Sequence, residues 1–233
     1  MASKKYYAII TAGGSGRRMH SAVPKQFLDL DGKPILLRTI ELFTSLDLPL
    51  EIVLVLPPSH IEEWKKFYNE HDLLFSHRIV PGGLTRFHSV RSALEVIPDG
   101  AVVAVHDGVR PIVPRTLLKE LLTYKIDDEC SGVIPVVSVV ESMRKKVYDE
   151  NGAAVSTKPA VREDYMLVQT PQVFDSTRLK KAYKKPYSPT FTDDATVMES
   201  SGYKFDTIEG SKFNLKITTP EDLKFAKVLL PLI

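Results

Sequence analysis

Short apolar segments alternate with amphipathic helical patterns along most of the chain. Residues 6–11, 51–56 and 101–105 are apolar almost throughout, whereas residues 35–43 and 117–122 repeat apolar side chains at helical spacing. Strands that are apolar on both faces are typical of parallel sheets covered by helices on both sides. The alternation predicts an α/β fold with a doubly wound, mostly parallel sheet.

The end of the chain continues this alternation. We expect strands over residues 204–208 and 214–217, and a last helix after Thr219, which is followed by a proline and two acidic residues. Threonine as N-cap with proline at the first helical position is a strong helix start. A length of 233 residues is within reach of one α/β domain. We therefore assign residues 1–233 to a single domain.

Residues 139–164 interrupt the alternation. They are polar and rich in lysine and glutamate, and Asn151-Gly152 is a dipeptide typical of the tight turn between two antiparallel strands. The segment predicts a β-hairpin that protrudes from the sheet. Because it is too polar to be buried on the sheet, we interpret residues 139–164 as a β-arm that another subunit stabilises. A mobile surface loop is the alternative.

The charge balance and the single cysteine narrow the class of protein. Lys and Arg number 31 and Asp and Glu number 29, a net charge of +2, which is too balanced for a dedicated nucleic-acid binder. Cys130 alone allows neither an intrachain disulfide nor a cysteine-based zinc site and favours the reducing cytoplasm. No apolar run approaches the roughly 20 residues that span a bilayer, so we expect no membrane association.

A glycine-rich segment follows the first predicted strand. Residues 12–19 read Ala-Gly-Gly-Ser-Gly-Arg-Arg-Met. The backbone N–H groups of such a loop can close around phosphate oxygens. Met19 stands where the dinucleotide fingerprint requires a glycine, and Arg17 stands where the Walker loop requires a lysine. The loop therefore predicts a phosphate site of a different kind.

Two cationic side chains accompany this loop. Arg18 lies within it, and Lys25 follows Pro24 seven residues later. Together they could neutralise one triphosphate, as nucleotidyl transfer requires at the attacked α-phosphate and at the leaving pyrophosphate. A solvated basic turn is the alternative.

These segments resemble the signature of sugar-phosphate nucleotidyltransferases. The chain is similar over nearly its whole length to the 2-C-methyl-D-erythritol 4-phosphate cytidylyltransferase family. The matching segments are residues 12–19 with 24–26, 82–90, 106–111, 141–145, 169–172, 192–195 and 209–216. Each segment alone is weak evidence for the family, but all of them occurring in order along nearly the whole chain is strong evidence. The resemblance implies a Rossmann-like nucleotidyltransferase fold.

The resemblance also implies which residues form the site. It places CTP against Ala12, Gly13, Gly14, Ser15, Gly16, Gly83, Ser89, Asp107 and Gly108. It makes Arg18, Lys25 and Lys216 the catalytic cations around the α-phosphate. It assigns the acceptor to Ser142, Arg162, Thr170, Thr192 and Arg110. Ser142 and Arg162 would reach from the arm into the neighbouring subunit of a homodimer.

The implied reaction joins CTP and 2-C-methyl-D-erythritol 4-phosphate to give 4-diphosphocytidyl-2-C-methyl-D-erythritol and pyrophosphate, a step of non-mevalonate isoprenoid synthesis. The acceptor phosphate is already a nucleophile, so no general base is needed and catalysis rests on positioning and electrostatics. Mg²⁺ or another divalent cation would bridge the triphosphate oxygens, with Asp107 as its protein contact. The chain departs from the family pattern at three places: Leu84 replaces a common acid, Ser142 replaces a usual threonine, and Gly108-Val109 replaces the commoner pair of alanines.

Several alternatives stay open from the sequence. The acceptor could be ribitol 5-phosphate, as in a closely related cytidylyltransferase, or the chain could be a nucleotide-binding module without catalysis. His106 follows an apolar strand, and we favour a packed core histidine over a catalytic one. Asp193 and Asp194 could be a metal pair or the start of a helix. Trp64 is interpreted as helix packing rather than as a platform for a base.

Overall fold

The strands and helices follow one another largely as the alternating pattern predicts. The computed structural model describes residues 4–13 and 23–232. Its strands are β1 (Tyr6–Thr11), β2 (Asp29–Leu30), β3 (Lys33–Pro34), β4 (Leu50–Leu56), β5 (His77–Pro81), β6 (Val102–Asp107), β7 (Gly132–Ser138), β8 (Met143–Tyr148), β9 (Ala154–Ala160), β10 (Met166–Val168), β11 (Gln172–Asp175) and β12 (Asp206–Glu209). Its α-helices are α1 (Ile35–Thr44), α2 (Ile61–Glu70), α3 (Arg86–Leu94), α4 (Arg115–Leu122), α5 (Ser176–Ala182), α6 (Asp194–Ser200) and α7 (Pro220–Leu229).

Eight strands form the central sheet, in the order β10-β7-β11-β6-β1-β4-β5, with β12 paired to β7. Strands β6, β1, β4 and β5 are mutually parallel, and β11 runs antiparallel between β6 and β7. Strands β10 and β11 pair with successive parts of β7, and β12 pairs with β7 in parallel. The prediction of a doubly wound, mostly parallel sheet is confirmed.

Helices cover both faces of this sheet. Ile9 and Ile10 are adjacent in β1 and both fully buried, but they belong to different apolar clusters. The cluster around Ile9 includes side chains of α3, α5 and α6, and the cluster around Ile10 includes those of α1, α2 and α4. Successive side chains of a strand point to opposite faces, so both faces of β1 are buried. This explains why its sequence is apolar throughout.

Side-chain caps fix where the later helices begin. Thr219 caps α7 with a capping box and Pro220 stands at its first turn, as the sequence predicts. Asp193 caps α6 in the same way. Residues 214–217 do not form the strand that we expect. In the described part of the chain, no helix is long and apolar enough to cross a membrane.

Strands β8 and β9 form a two-stranded antiparallel sheet that is separate from the central one. Their turn is held by the Asp149 carboxylate, which accepts hydrogen bonds from the backbone N–H groups of Asn151 and Ala153. Gly152 has a φ of +77°, which favours glycine. Most of this hairpin is exposed, including the apolar side chains of Tyr148 and Val155.

Candidate active site

A cavity of about 240 Å³ opens at the carboxyl ends of β1 and β6. After β1 the chain moves to β4 on one side, whereas β6 lies on the other side, so the strand order reverses between β1 and β6. Such a switch point is where open α/β sheets bind ligands. The cavity is lined by seven of the predicted site residues, which are Ala12, Gly13, Lys25, Gly83, Ser89, Asp107 and Lys216. The predicted residues Gly14, Ser15, Gly16 and Arg18 lie outside the described residues.

One wall of the cavity is the loop between β5 and α3. The backbone N–H of Gly83 donates a hydrogen bond to Ser89 Oγ at 3.1 Å. A Cβ at position 83 would lie only 2.4 Å from the Cβ of His88, so a side chain there would push the loop out of place. Leu84 also lines the cavity and is 97% exposed. This wall therefore presents backbone and a small hydroxyl to a ligand.

Asp107, at the end of β6, carries three cationic neighbours. Lys216 Nζ lies 2.9 Å and Arg110 Nε 3.3 Å from Asp107 Oδ2, and Arg86 Nε lies 3.7 Å from Oδ1. Burial alone would raise the pKa of Asp107, but Arg86, Lys216 and Arg110 outweigh it and hold that pKa well below its usual range. The carboxylate is ionised, and the cluster carries an excess of positive charge suited to phosphate.

A chain of hydrogen bonds fixes the backbone of Asp107. Its N–H donates to Thr170 Oγ1 at 3.1 Å, Thr170 Oγ1 lies 3.0 Å from His106 Nδ1, and His106 Nε2 lies 3.0 Å from the carbonyl oxygen of Arg110. His106 is fully buried, and this burial lowers its pKa to about 4, so the ring is neutral at neutral pH. Because a carbonyl only accepts, the single ring proton is on Nε2 and the Thr170 hydroxyl donates to Nδ1.

Arg86 is a site residue that sequence reasoning missed. It lines the cavity beside Asp107 and makes a two-pronged ion pair with Asp194, at 3.0 Å and 2.6 Å. The Tyr183 hydroxyl donates to the same carboxylate at 2.6 Å. Burial alone would lower the pKa of Arg86, but the nearby carboxylates, chiefly Asp194, outweigh burial and raise that pKa overall, so the guanidinium stays charged. The matching segment 82–90 contains Arg86, but nothing in its pattern points to a partner 108 residues away.

Asp193 and Asp194 begin a helix. Asp193 caps α6 through a hydrogen bond from the N–H of Thr196, and Asp194 is fully buried against Arg86. Within residues 4–13 and 23–232, no group of three or more His, Cys, Asp or Glu side chains could hold a metal ion. Thr192 is exposed just before this helix. Trp64 is fully buried and donates to His77 Nε2 at 2.9 Å, so it packs in the core as expected.

The arm residues lie apart from this cavity in the single chain. Ser142 and Arg162 line a different depression at the base of the β8–β9 hairpin. Arg162 pairs with Glu163 at 3.0 Å and donates to the carbonyl oxygen of Val140. Gly108 also stands outside the cavity lining: its N–H donates to the carbonyl oxygen of Thr11 at 2.9 Å and joins β6 to β1. The cavity thus brings together the described nucleotide residues other than Gly108, whereas none of the predicted acceptor residues lines it, namely Ser142, Arg162, Thr170, Thr192 and Arg110.

Comparison with known proteins places this geometry in a family. The family model for 2-C-methyl-D-erythritol 4-phosphate cytidylyltransferase (IspD) matches residues 6–231. The enzyme of that name from Bacteroides fragilis is 45% identical, over 96% of this chain and 98% of its own length. The one from Porphyromonas gingivalis is 44% identical, over 97% of this chain and 98% of its own length.

Solved structures agree with the sequence comparison. The crystal structure of the Francisella tularensis 2-C-methyl-D-erythritol 4-phosphate cytidylyltransferase is similar with a TM-score of 0.75 and 33% identity, and the match covers 97% of this chain and 100% of that one. The enzyme from Thermus thermophilus matches with a TM-score of 0.75 and 28% identity, over 97% of this chain and 99% of that one. The chain belongs to the 2-C-methyl-D-erythritol 4-phosphate cytidylyltransferase family.

Proposed function

We propose that the chain transfers the cytidylyl group of CTP to 2-C-methyl-D-erythritol 4-phosphate. A phosphate oxygen of the acceptor attacks the α-phosphorus and forms a new P–O bond. The bond from that phosphorus to the oxygen that bridges to the β-phosphate breaks, and pyrophosphate leaves with its electron pair. The observation that carries the proposal is a cavity at the switch point of the sheet where Lys25, Lys216 and Arg86 meet, in a chain of this family.

The described residues act by position and charge. The acceptor phosphate is ionised at neutral pH, so no side chain has to remove a proton from it. Lys216 is held at Asp107 and is 44% exposed on its side chain, so its ammonium group is available to a phosphate oxygen. Arg86 and Arg110 keep Asp107 ionised and oriented when Lys216 turns to the substrate. Lys25 supplies a further cation in the cavity wall.

A divalent cation fits this site only in company with the triphosphate. Asp107 is the one carboxylate among the described residues that line the cavity, and three cations surround it. Mg²⁺ keeps several waters and is commonly bound through substrate phosphates with one or two carboxylates. We propose that Mg²⁺ arrives with CTP, where it neutralises phosphate charge, and that Asp107 is its contact on the protein.

We also propose that the chain forms a homodimer through the arm. The edge strand β10 exposes Met166, Leu167 and Val168, and the arm exposes Tyr148 and Val155. An exposed apolar edge strand of this kind normally needs a cover. We propose that a second copy covers this edge and that Ser142 and Arg162 of each arm hold the acceptor phosphate in the site of the neighbour, together with Thr170, Thr192 and Arg110.

A reducing compartment suits the one thiol of the chain. Cys130 is partly buried and free, and its Sγ lies 3.1 Å from the carbonyl oxygen of Gly132 and 3.2 Å from Asp206 Oδ2. Burial raises the pKa of this thiol, which makes it less reactive. We propose that the reaction takes place in the cytoplasm.

The test is pyrophosphate release from CTP and Mg²⁺ with either 2-C-methyl-D-erythritol 4-phosphate or ribitol 5-phosphate as acceptor. We expect turnover with the first acceptor and a far lower kcat/KM with the second. A preference for ribitol 5-phosphate would contradict the proposed acceptor but leave nucleotidyl transfer intact. Failure with both acceptors would refute the proposed function.

A further inference from the structure

Gln26 has no hydrogen-bond partner for either end of its side-chain amide. It lies in the short 3₁₀ turn Lys25–Phe27, lines the cavity, and is only 1% exposed. Neither Nε2 nor Oε1 has a partner. Among residues 4–13 and 23–232, Gln26 is the one side chain whose two polar atoms are both buried and unpaired.

Other buried glutamines show that this fold pairs such groups. Gln172 donates from Nε2 to Asp193 at 2.8 Å and accepts the N–H of Ala195 at 2.9 Å. Gln169 likewise donates to Ser211 and accepts from it. Burying an amide without partners costs free energy, because its hydrogen bonds to water are lost and not replaced. Unpaired polar groups of this kind concentrate at functional sites, where a ligand completes them.

The two unpaired ends together restrict the missing partner. An amide offers two N–H donors at one end and an accepting oxygen at the other. Ionised phosphates only accept, so a triphosphate would pair with Nε2 and leave Oε1 unsatisfied. Ribose hydroxyls and the edge of cytosine each offer both a donor and an acceptor. Gln26 lines the cavity together with Gly83 and Ser89, so a rotamer that turns its amide into the cavity would present both ends to a bound nucleoside.

We infer that Gln26 is a recognition residue for the nucleoside part of CTP, through a paired donor and acceptor contact. The inference rests on the proposed function and adds a specificity contact to the same cavity. The amide of Gln26 lowers the stability of the ligand-free protein because it is unsatisfied, and it stabilises the nucleotide complex through two hydrogen bonds. A residue with a purely structural role would stabilise the ligand-free protein and leave the affinity for nucleotide unchanged.

The test measures stability and binding in the same variant. Gln26→Met keeps the length of the side chain and removes both the donor and the acceptor. We expect the Tm of the ligand-free variant to equal or exceed that of the wild type. We expect calorimetry without acceptor to give a Kd for Mg-CTP raised about tenfold and an unchanged Kd for Mg-tripolyphosphate, which lacks the nucleoside. Gln26→Leu is the second variant and should behave alike.

Gln172→Met is the matched control, because its amide is paired at both ends and its loss should lower Tm. A lowered Tm in both Gln26 variants, or an unchanged Kd for Mg-CTP, would overturn the inference. An equal loss of affinity for Mg-CTP and Mg-tripolyphosphate would make Gln26 a phosphate contact and overturn it as well. Wild-type protein that binds no CTP would refute the proposed function itself, so the two failures are distinguishable.

Discussion

At the scale of single residues, the candidate site depends on one carboxylate. Asp107 is 7% exposed, yet it stays ionised because Arg86, Lys216 and Arg110 surround it. Removing any one of these cations changes both the charge of the cavity and the position of the others. Substitution of a cation around Asp107 should therefore affect the proposed activity far more than substitution of an exposed lysine elsewhere.

Lys216→Ala should lower kcat by a factor of about 10²–10³, by analogy with the loss of one positioned donor to a developing charge. Asp107 keeps Arg86 and Arg110, so the fold should persist. Pyrophosphate release at saturating CTP and acceptor measures the loss, and thermal unfolding checks the fold. Lys212→Ala, an exposed lysine of the same segment, is the control. Near-normal kcat in Lys216→Ala would remove this lysine from the mechanism.

His106 makes the stability depend on pH. Burial lowers its pKa to about 4 in the folded protein, whereas an unfolded chain titrates near 6.5, so the unfolded chain binds more protons between these values. The contribution is complete above pH 6.5 and is lost as the pH falls towards 4, by about 3 kcal/mol. Urea unfolding at several pH values across this window should show a smaller loss in His106→Gln than in the wild type.

His71→Gln is the control for this measurement, because His71 is an exposed histidine. It should keep the pH dependence of the wild type. If His106→Gln and the wild type lose equal stability on acidification, the neutral buried histidine is not the source of the effect.

At the scale of elements, the start of α6 fixes the position of one cation that lines the cavity. Asp194, in its first turn, fixes Arg86 at the start of α3, and Tyr183, just after α5, donates to the same carboxylate. The Tyr183 ring also stacks on Phe87, with ring centroids 4.7 Å apart. Three helices on one face of the sheet thus position one cation of the site.

Tyr183→Phe should lower the free energy of unfolding by about 1–3 kcal/mol, because it removes a buried hydrogen bond to a charged group. The ring stays packed and Arg86 keeps both contacts to Asp194, so kcat should change little. Chemical denaturation and the pyrophosphate assay measure the two quantities. Unchanged stability would mean that the hydroxyl hydrogen bond contributes nothing in solution.

At the scale of the whole molecule, the proposed homodimer takes part of its acceptor site from the arm of the neighbouring subunit. Ser142 and Arg162 line no part of the cavity of their own chain among the described residues. The proposed dimer therefore has two sites, each built from the body of one subunit and the arm of the other. If each site is shared in this way, two inactive variants can complement each other in a mixed dimer, which a site within a single chain would not allow.

Lys25→Ala and Arg162→Ala should each be nearly inactive alone, and mixing the two after dissociation and reassociation should restore activity. In a mixed dimer one site carries both defects and the other carries neither, so one site of the two is intact. The pyrophosphate assay before and after subunit exchange measures this recovery. Mixing two Arg162→Ala samples is the control. A lack of recovery in mixed dimers, isolated through a different affinity tag on each variant, would place the arm in its own subunit's site.

Sequence patterns predicted the parts of this fold that depend on local rules. Apolar runs predicted the strands because both faces of the sheet are covered, and Thr219-Pro220 predicted α7 because capping is local. The pattern of residues 214–217 predicts a strand, but their hydrogen bonds do not form a ladder with a neighbouring strand. The side chain of Asn214 donates to the carbonyl oxygen of Thr170, and the N–H of Ile217 donates to the carbonyl oxygen of Val109. A pattern of residues does not say whether a neighbouring strand is present.

The candidate site was predicted by resemblance more than by pattern. Nothing local distinguishes Lys216 from other lysines, and its meeting with Asp107 depends on the folded sheet. Arg86 and Asp194 were missed as a pair for the same reason, since a contact across 108 residues leaves no periodic signal. Gln26 was quoted only as part of a motif, because an unpaired amide becomes visible only when its surroundings are known.

The cavity draws its lining from Ala12 near one end of the chain and from Lys216 near the other. Translation proceeds from the amino terminus, and the ribosome adds roughly 5–20 residues per second. A nascent chain therefore contains the loop between β5 and α3 and the central strands well before it contains Lys216, which pairs with Asp107. A chain whose synthesis stops before residue 216 holds an unfinished phosphate site, because it lacks the lysine that lines the cavity beside Asp107.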